Sequence, residues 1–210
     1  MPSMNVLITS GPTREYLDPV RYLTNGSSGR MGAALAEAVL QRGDLPIIVS
    51  GPATISYPPE AKVRRVETTE QMLQTCLELF PHCAGVIGAA APCDFRPVSF
   101  SEQKISKAKE GGMTFQFSQT PDILAALGKT KRAGQWSVAF ALETQDGKTR
   151  ALEKMKQKCC DFVVLNNPLS INQDRASFQV FDVTGEQRTL FTGSKRKFAE
   201  ELLRLIMKPF

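Results

Sequence analysis

Gly11-Pro12-Thr13-Arg14-Glu15-Tyr16-Leu17-Asp18-Pro19-Val20-Arg21-Tyr22-Leu23-Thr24-Asn25-Gly26-Ser27-Ser28-Gly29-Arg30-Met31-Gly32 follows an apolar strand at 5–8 and runs into a helical pattern at 33–40. A Gly/Ser-rich connection between a first strand and a first helix is where an α/β protein holds phosphate. The N–H groups at a helix start have no intrahelical partner, and the dipole there is positive. This connection is about three times as long as the Gly-x-Gly-x-x-Gly turn of dinucleotide domains, and it carries arginines and an asparagine. A dinucleotide domain also ends its second strand on an acidic residue that holds the ribose diol. Here the second strand ends Val49-Ser50-Gly51-Pro52, without a carboxylate. An NAD(P)-dependent oxidoreductase of Rossmann type therefore stands only as the alternative reading.

Outward from that run, short apolar stretches at 5–9, 46–50, 63–66, 85–89, 137–142 and 162–165 alternate with helical patterns at 31–42, 69–80, 121–127, 148–158 and 195–207. Short apolar strands suit burial on both faces of a parallel sheet. Their alternation with helices predicts right-handed βαβ units and an α/β, Rossmann-like, doubly wound, mostly parallel sheet. Thr68 with Gln71 is a capping-box pair, and Thr120-Pro121 places a cap before a proline at the first helical position. Two regions break the rhythm. Residues 95–120 form a long connection bearing Pro97, Lys104, Lys107, Lys109 and Gly111-Gly112, closed by a short strand at 114–117. A loop of this length inside a compact domain is usually functional or mobile. Residues 177–192 alternate apolar and polar around Thr184-Gly185, which predicts a β-hairpin added at the sheet edge or, equally, an oligomer contact.

The 210 residues suit a single domain, 1–210. Hydrophobic residues make up 42% and charged residues 22%, a globular balance. The net charge of +5 suits anionic small substrates, and no Lys/Arg block with interleaved aromatics signals nucleic acid. No apolar run approaches the ~20 residues of a membrane span, and no signal-peptide pattern opens the chain, so a cytoplasmic location is expected. The five cysteines are odd in number, include the adjacent Cys159-Cys160 and form no Cys-x-x-Cys, which argues against a disulfide framework or a zinc site. The single histidine, His82, sits beside Pro81 in a loop position, so a histidine-rich metal site is excluded.

Four further stretches bear chemistry. Gly88-Ala89-Ala90-Ala91-Pro92-Cys93-Asp94-Phe95-Arg96-Pro97 leaves the carboxyl end of the fourth strand, where open α/β sheets bind ligands. Its small residues let a flat base or sugar approach the backbone, and Asp94 and Arg96 supply opposite charges; a packed strand exit with a solvated ion pair is the plainer reading. Lys104-Ile105-Ser106-Lys107 lies on the long loop, from which a lysine can close over a nucleotide; an ordinary charged loop fits the spacing as well. Pro121-Asp122-Ile123-Leu124 opens a helix whose free N–H groups suit phosphate, or is simply a well-capped helix. Lys154 and Lys158, four apart, share one helix face near Phe140 and Glu143-Thr144; a solvated basic face is the alternative.

Together these runs resemble the phosphopantothenate–cysteine ligase (phosphopantothenoylcysteine synthetase) family of coenzyme A biosynthesis, over nearly the whole chain. The opening run is the most specific match. The Ala-Ala…Asp-Phe-Arg-Pro exit, the Lys-Ile-x-Lys loop, Pro-Asp-Ile-Leu and Phe-Ala-x-Glu-Thr follow in the family's order. The resemblance implies a two-step ligation. The carboxylate of 4′-phosphopantothenate attacks the α-phosphate of a nucleoside triphosphate, giving an acyl-nucleotidyl intermediate and pyrophosphate. The amine of cysteine then attacks the acyl carbon and releases the nucleoside monophosphate. The chain looks like the bacterial type, which implies CTP, accompanied by Mg2+ whose ligands are unassigned. Members are homodimers, so the 95–120 loop or the hairpin is expected to complete the partner's site. Bacterial members are often fused behind a flavin-dependent decarboxylase. Nothing before Met4 holds such a domain, so no flavin is expected.

Residue by residue, the resemblance assigns Asn25 to the acyl-nucleotidyl intermediate, Lys104 to the first step and Arg21 to the substrate phosphate. It assigns Gly88, Ala89, Ala90 and Asp94 to the cytosine nucleotide, Pro121, Asp122, Ile123 and Leu124 to its phosphates, and Phe140, Lys154 and Lys158 to the rest of the nucleotide site. The chain departs from the family pattern at Pro92-Cys93, in place of Val-Ala, at Ser106, in place of lysine, and at Ala139, in place of glycine. Such chemistry asks for positioning and charge stabilisation, not for a histidine nucleophile.

Overall fold

The computed structural model describes residues 3–106, 112–143, 146–166 and 175–207. Its centre is β1 (Asn5–Ser10), in which Val6, Leu7 and Ile8 are fully buried because helices cover both faces of the sheet. The opening run then folds a small antiparallel hairpin, β2 (Arg14–Tyr16) with β3 (Tyr22–Thr24), before α1 (Arg30–Gln41). Next come β4 (Leu45–Ser50), β5 (Lys62–Arg65), α2 (Thr69–Leu79) and β6 (Gly85–Gly88). The second half contributes β7 (Phe95–Pro97), β8 (Phe117–Gln119), α3 (Ile123–Thr130), β9 (Trp136–Leu142) and α4 (Gly147–Gln157). It closes with β10 (Phe162–Asn166), β11 (Arg175–Asp182), β12 (Gln187–Ser194) and α5 (Lys195–Ile206).

The main sheet has eight strands in the order β12-β11-β10-β9-β6-β1-β4-β5. The six from β10 to β5 are parallel, and β11 and β12 extend that sheet as an antiparallel hairpin beyond β10. This is the doubly wound arrangement expected from the alternation of elements, with the edge hairpin in place. α1 and α5 pack on one face, where Phe198 stacks on Phe178 with centroids 3.9 Å apart. α2, α3 and α4 cover the other, around Met72, Leu127 and Met155.

Local chemistry explains where several elements start. The Thr68–Gln71 capping box forms at α2, and the buried Glu15 carboxylate accepts the Thr69 N–H at 2.8 Å. The hairpin of the opening run is thereby fastened to that helix. α3 starts two residues later than the proline pattern predicts. Asp122 is its cap, accepting the Ala125 N–H at 3.0 Å, while the Thr120 hydroxyl donates instead to the Cys93 carbonyl at 2.5 Å. A carboxylate one residue from the first turn is the better acceptor for those amides, which releases Thr120 to tie the helix to the strand exit. The strand expected at 114–117 is β8, shifted toward the helix, because its partner is β7 on the other side of the long loop.

Gly51 lets the β4 exit and the opening run cross at van der Waals distance. A Cβ there would lie 1.6 Å from the Pro12 carbonyl oxygen, a backbone atom that cannot turn aside. Gly51→Ala is expected to destabilise the domain by about 1–3 kcal/mol or more, read as a lower denaturation midpoint at unchanged slope.

Candidate active site

The strand order reverses between β1 and β6, and outside the carboxyl ends of these strands lies a crevice of about 580 Å³. Ligands of open α/β sheets bind at such a switch point. One wall is the stretch from Asn25 to Met31. The Gly88-Ala89-Ala90 exit forms the floor with Asp94. Pro121, Asp122, Ile123 and Leu124 form the opposite wall, and Phe140, Lys154 and Lys158 close the side toward β9.

Asn25 is held in place by its own amide, whose Nδ2 donates to the Pro92 carbonyl at 2.8 Å. The opening run and the fourth-strand exit therefore meet at this residue. Gly29 caps α1 in a left-handed conformation, φ +75°, with no side-chain acceptor, and no acidic residue stands in the first turn. Beneath it the Tyr57 hydroxyl meets both Ser10 Oγ and Ser50 Oγ at 2.9 Å, and Ser10 Oγ donates to the Gly29 carbonyl. This partly buried hydroxyl set fixes the turn from which the α1 amides point.

The crevice is rich in cations. Lys154, Lys158, Arg30 and Lys195 line it, against the carboxylates of Asp94 and Asp122. Lys158 and Asp122 pair at 2.5 Å. Burial would raise the Asp122 carboxyl, but the Lys158 ammonium and the Ala125 amide outweigh it and hold the group below its usual range. Lys154 moves in the other sense. Burial and the neighbouring Lys158 charge push its ammonium down, and Glu143, Asp122 and Asp94 recover only part of the loss. A polyphosphate beside Lys154 would restore its charge, so the residue is suited to bind an anion. Asp94 has no ion pair among the described residues, because Arg96 turns to Glu70 at 3.8 Å.

Two residues singled out from sequence stand apart from the crevice. Lys104 is exposed on the long loop and does not line it. Arg21 is engaged by the buried Asp18 and by the Ile105 carbonyl. Lys107, Lys109, Gly111 and Thr144 lie outside the described residues. Cys93 is a wall of the site; burial pushes its thiol up, away from nucleophile chemistry. The His82 carbonyl accepts from the Asn5 side chain, at the opposite end of β1. Sequence reasoning gave no role to Asn166 or Lys195, which reach the crevice from strands and helices far downstream. Arg30 lies within the opening run, and its place at a helix start was the available signal. Among the described residues no group of three or more His, Cys, Asp or Glu is placed to hold a metal, and no helix is long and apolar enough to cross a membrane.

Fold and site together define a doubly wound α/β protein with a cationic crevice at its switch point and no ribose-binding carboxylate after β4, which leaves the oxidoreductase alternative without support. A family model described as the DNA/pantothenate metabolism flavoprotein C-terminal domain matches residues 1–210, and the chain belongs to that family. It is 38% identical over 96% of its length to the coenzyme A biosynthesis bifunctional protein CoaBC of Bacillus subtilis, covering 50% of that protein. It is 34% identical over 99% of its length to the CoaBC of Haemophilus influenzae, covering 52%. The chain thus spans about half the length of these relatives. A crystal structure of a CoaBC C-terminal domain, 32% identical, superposes with a TM-score of 0.84 over 98% of this chain and 95% of that one.

Proposed function

We propose that this domain joins 4′-phosphopantothenate to L-cysteine through an acyl-cytidylate. The observation that carries the reading is the meeting of Asn25 with the Gly88-to-Asp94 floor inside a cation-rimmed crevice. In the first step a carboxylate oxygen of phosphopantothenate attacks the α-phosphorus of CTP and pyrophosphate leaves. Lys154 and Lys158 neutralise the triphosphate. The small floor residues admit the cytosine nucleotide against the backbone, and the α3 start receives its phosphates. In the second step the cysteine amine attacks the acyl carbon, and the C–O bond to CMP breaks. The Asn25 amide, a neutral donor, stabilises the intermediate without pairing permanently with a carboxylate. Arg21, which lies outside the crevice against Asp18 and Ile105, is assigned to the substrate phosphate by the family resemblance.

Magnesium fits as an ion carried by the triphosphate. With Asp122 engaged by Lys158, Asp94 is the carboxylate available beside it, which suits a cation that keeps most of its waters. When bound, the ion supplies charge neutralisation at the phosphates. No flavin chemistry is assigned to this domain, and the odd, unpatterned cysteines suit a reducing cytoplasmic setting.

The working unit is a homodimer. Phe95, Val98, Phe100, Phe115 and Phe117, on and beside the β7–β8 pair, are between 38% and 61% exposed. The register places Phe95 and Phe117 on the same face of this ribbon, and exposed aromatic residues that share a face mark an interaction surface. Lys104 lies exposed in the loop between these residues, and on this reading the loop completes the site of a second copy. Phe117→Asp is expected to halve the mass seen by light scattering and to lower turnover with it; an unchanged monomeric mass in the unmutated protein would contradict the dimer.

A coupled pyrophosphate assay tests the function. Release is expected with CTP, weaker with ATP, and only when phosphopantothenate is present. No pyrophosphate with any nucleoside triphosphate would remove the ligase reading.

A further inference from the structure

Asp18 has a fully buried carboxylate, and its two oxygens do different things. Oδ1 accepts the N–H groups of Val20 and Arg21 at 2.7 and 2.8 Å, which is what an aspartate in a turn normally does for its own backbone. Oδ2 has no such local task. It accepts the Arg21 guanidinium and, at 3.0 Å, the N–H of Ile105. The same guanidinium nitrogen donates to the Ile105 carbonyl at 2.9 Å, and the Ser101 N–H reaches the Leu17 carbonyl at 3.0 Å. Both backbone groups of Ile105 are therefore gripped by a charge pair more than 80 residues upstream. Turn formation alone does not require Arg21 to extend there. The residue next to the gripped peptide is Lys104.

We propose that Asp18, with Arg21, is a positioning residue for Lys104: the pair anchors the long loop at Ile105 and so fixes the point from which the lysine reaches the reacting phosphates. The inference rests on the ligase reading of Lys104, and it adds a second task for Arg21 beyond the substrate phosphate. The anchor works equally whether the lysine serves its own crevice or a partner's, because it sets the root of the loop and not its destination.

Two variants separate this role from a structural one. Asp18→Asn removes the charge that holds the guanidinium. Ile105→Pro removes the N–H that Asp18 accepts and leaves the Asp18 and Arg21 side chains in place. Because proline also constrains the backbone of Lys104 before it, its turnover is read together with Asp18→Asn and the exchange data. Each is expected to slow pyrophosphate release at saturating CTP and phosphopantothenate at least tenfold, with KM for CTP within about threefold of the parent. Combined with Lys104→Ala, neither should add a further loss, since groups acting through one residue are not additive. Amide exchange in residues 99–106 should quicken at least tenfold in Asp18→Asn, and this readout needs no turnover. Parent-like turnover in both variants, losses that multiply with that of Lys104→Ala, or unchanged exchange would each overturn the proposal. Absence of pyrophosphate release from the unmutated protein would instead overturn the ligase reading, leaving the exchange result to judge the anchor.

Discussion

Asn25→Asp is expected to lower turnover by roughly 10²–10³-fold, the usual loss when one donor to a developing oxyanion is removed, with the melting temperature nearly unchanged. The side chain is exposed toward the crevice, so no packing is lost. Among the described residues its side chain makes one bond, from Nδ2 to the Pro92 carbonyl at 2.8 Å. A carboxylate cannot donate that bond. It faces the carbonyl oxygen with a negative charge and repels the phosphate and acyl oxygens of the intermediate. The loss should fall on kcat, with little change in KM for CTP, because the donor matters most where charge develops. Single-turnover product formation, set beside a thermal melt, makes the check. A parent-like rate would remove Asn25 from the mechanism.

The second large effect belongs to Lys154. Lys154→Met keeps the length of the side chain and removes the ammonium, so KM for CTP should rise roughly 10- to 100-fold, in keeping with about 1.5–3 kcal/mol for a hydrogen bond to a charged group. The pH dependence follows from the sign of the shift. Burial and the Lys158 charge hold the Lys154 ammonium below the usual lysine range. The cation that binds phosphate is fully present below that lowered pKa and is lost as pH rises through it. Nucleotide affinity should therefore fall on the alkaline side before an ordinary lysine, near pH ~10.4, would titrate, and Lys154→Met should abolish that limb. Asp122→Asn provides the control. Asparagine still caps α3, while Lys158 is released from its ion pair, so KM for CTP should stay level or fall. Isothermal titration across pH distinguishes these outcomes.

Much of this fold is legible in the sequence because its information is local. The inner parallel strands are short apolar runs buried on both faces, so pattern and structure coincide there, whereas the edge strand β5, Lys62–Arg65, is charged and largely exposed. The Thr68–Gln71 box marks α2 correctly because both partners lie within one turn. What escapes sequence reading depends on distant partners. The β2 and β3 strands, three residues each, form because Glu15 and Thr13 reach Thr69 on α2. The α3 cap moves from Thr120 to Asp122 because Cys93, on another element, offers Thr120 a carbonyl. The site divides in the same way. The strand exit and helix start at Gly88–Asp94 and Pro121–Leu124 fall beside the switch point by chain order alone. Asn166 and Lys195 reach the crevice only through the sheet's return path, and the grip of Arg21 on Ile105 joins residues that no local pattern connects.

The most direct test of the account follows one oxygen. Phosphopantothenate carrying 18O in both carboxylate oxygens should be turned over with CTP and cysteine, and the products weighed by mass spectrometry. Attack of the carboxylate on the α-phosphorus, followed by cleavage of the acyl C–O bond, must leave one heavy oxygen in CMP and one in the new amide. Heavy oxygen in inorganic phosphate or pyrophosphate, or none in CMP, would show that no acyl-cytidylate forms in this crevice.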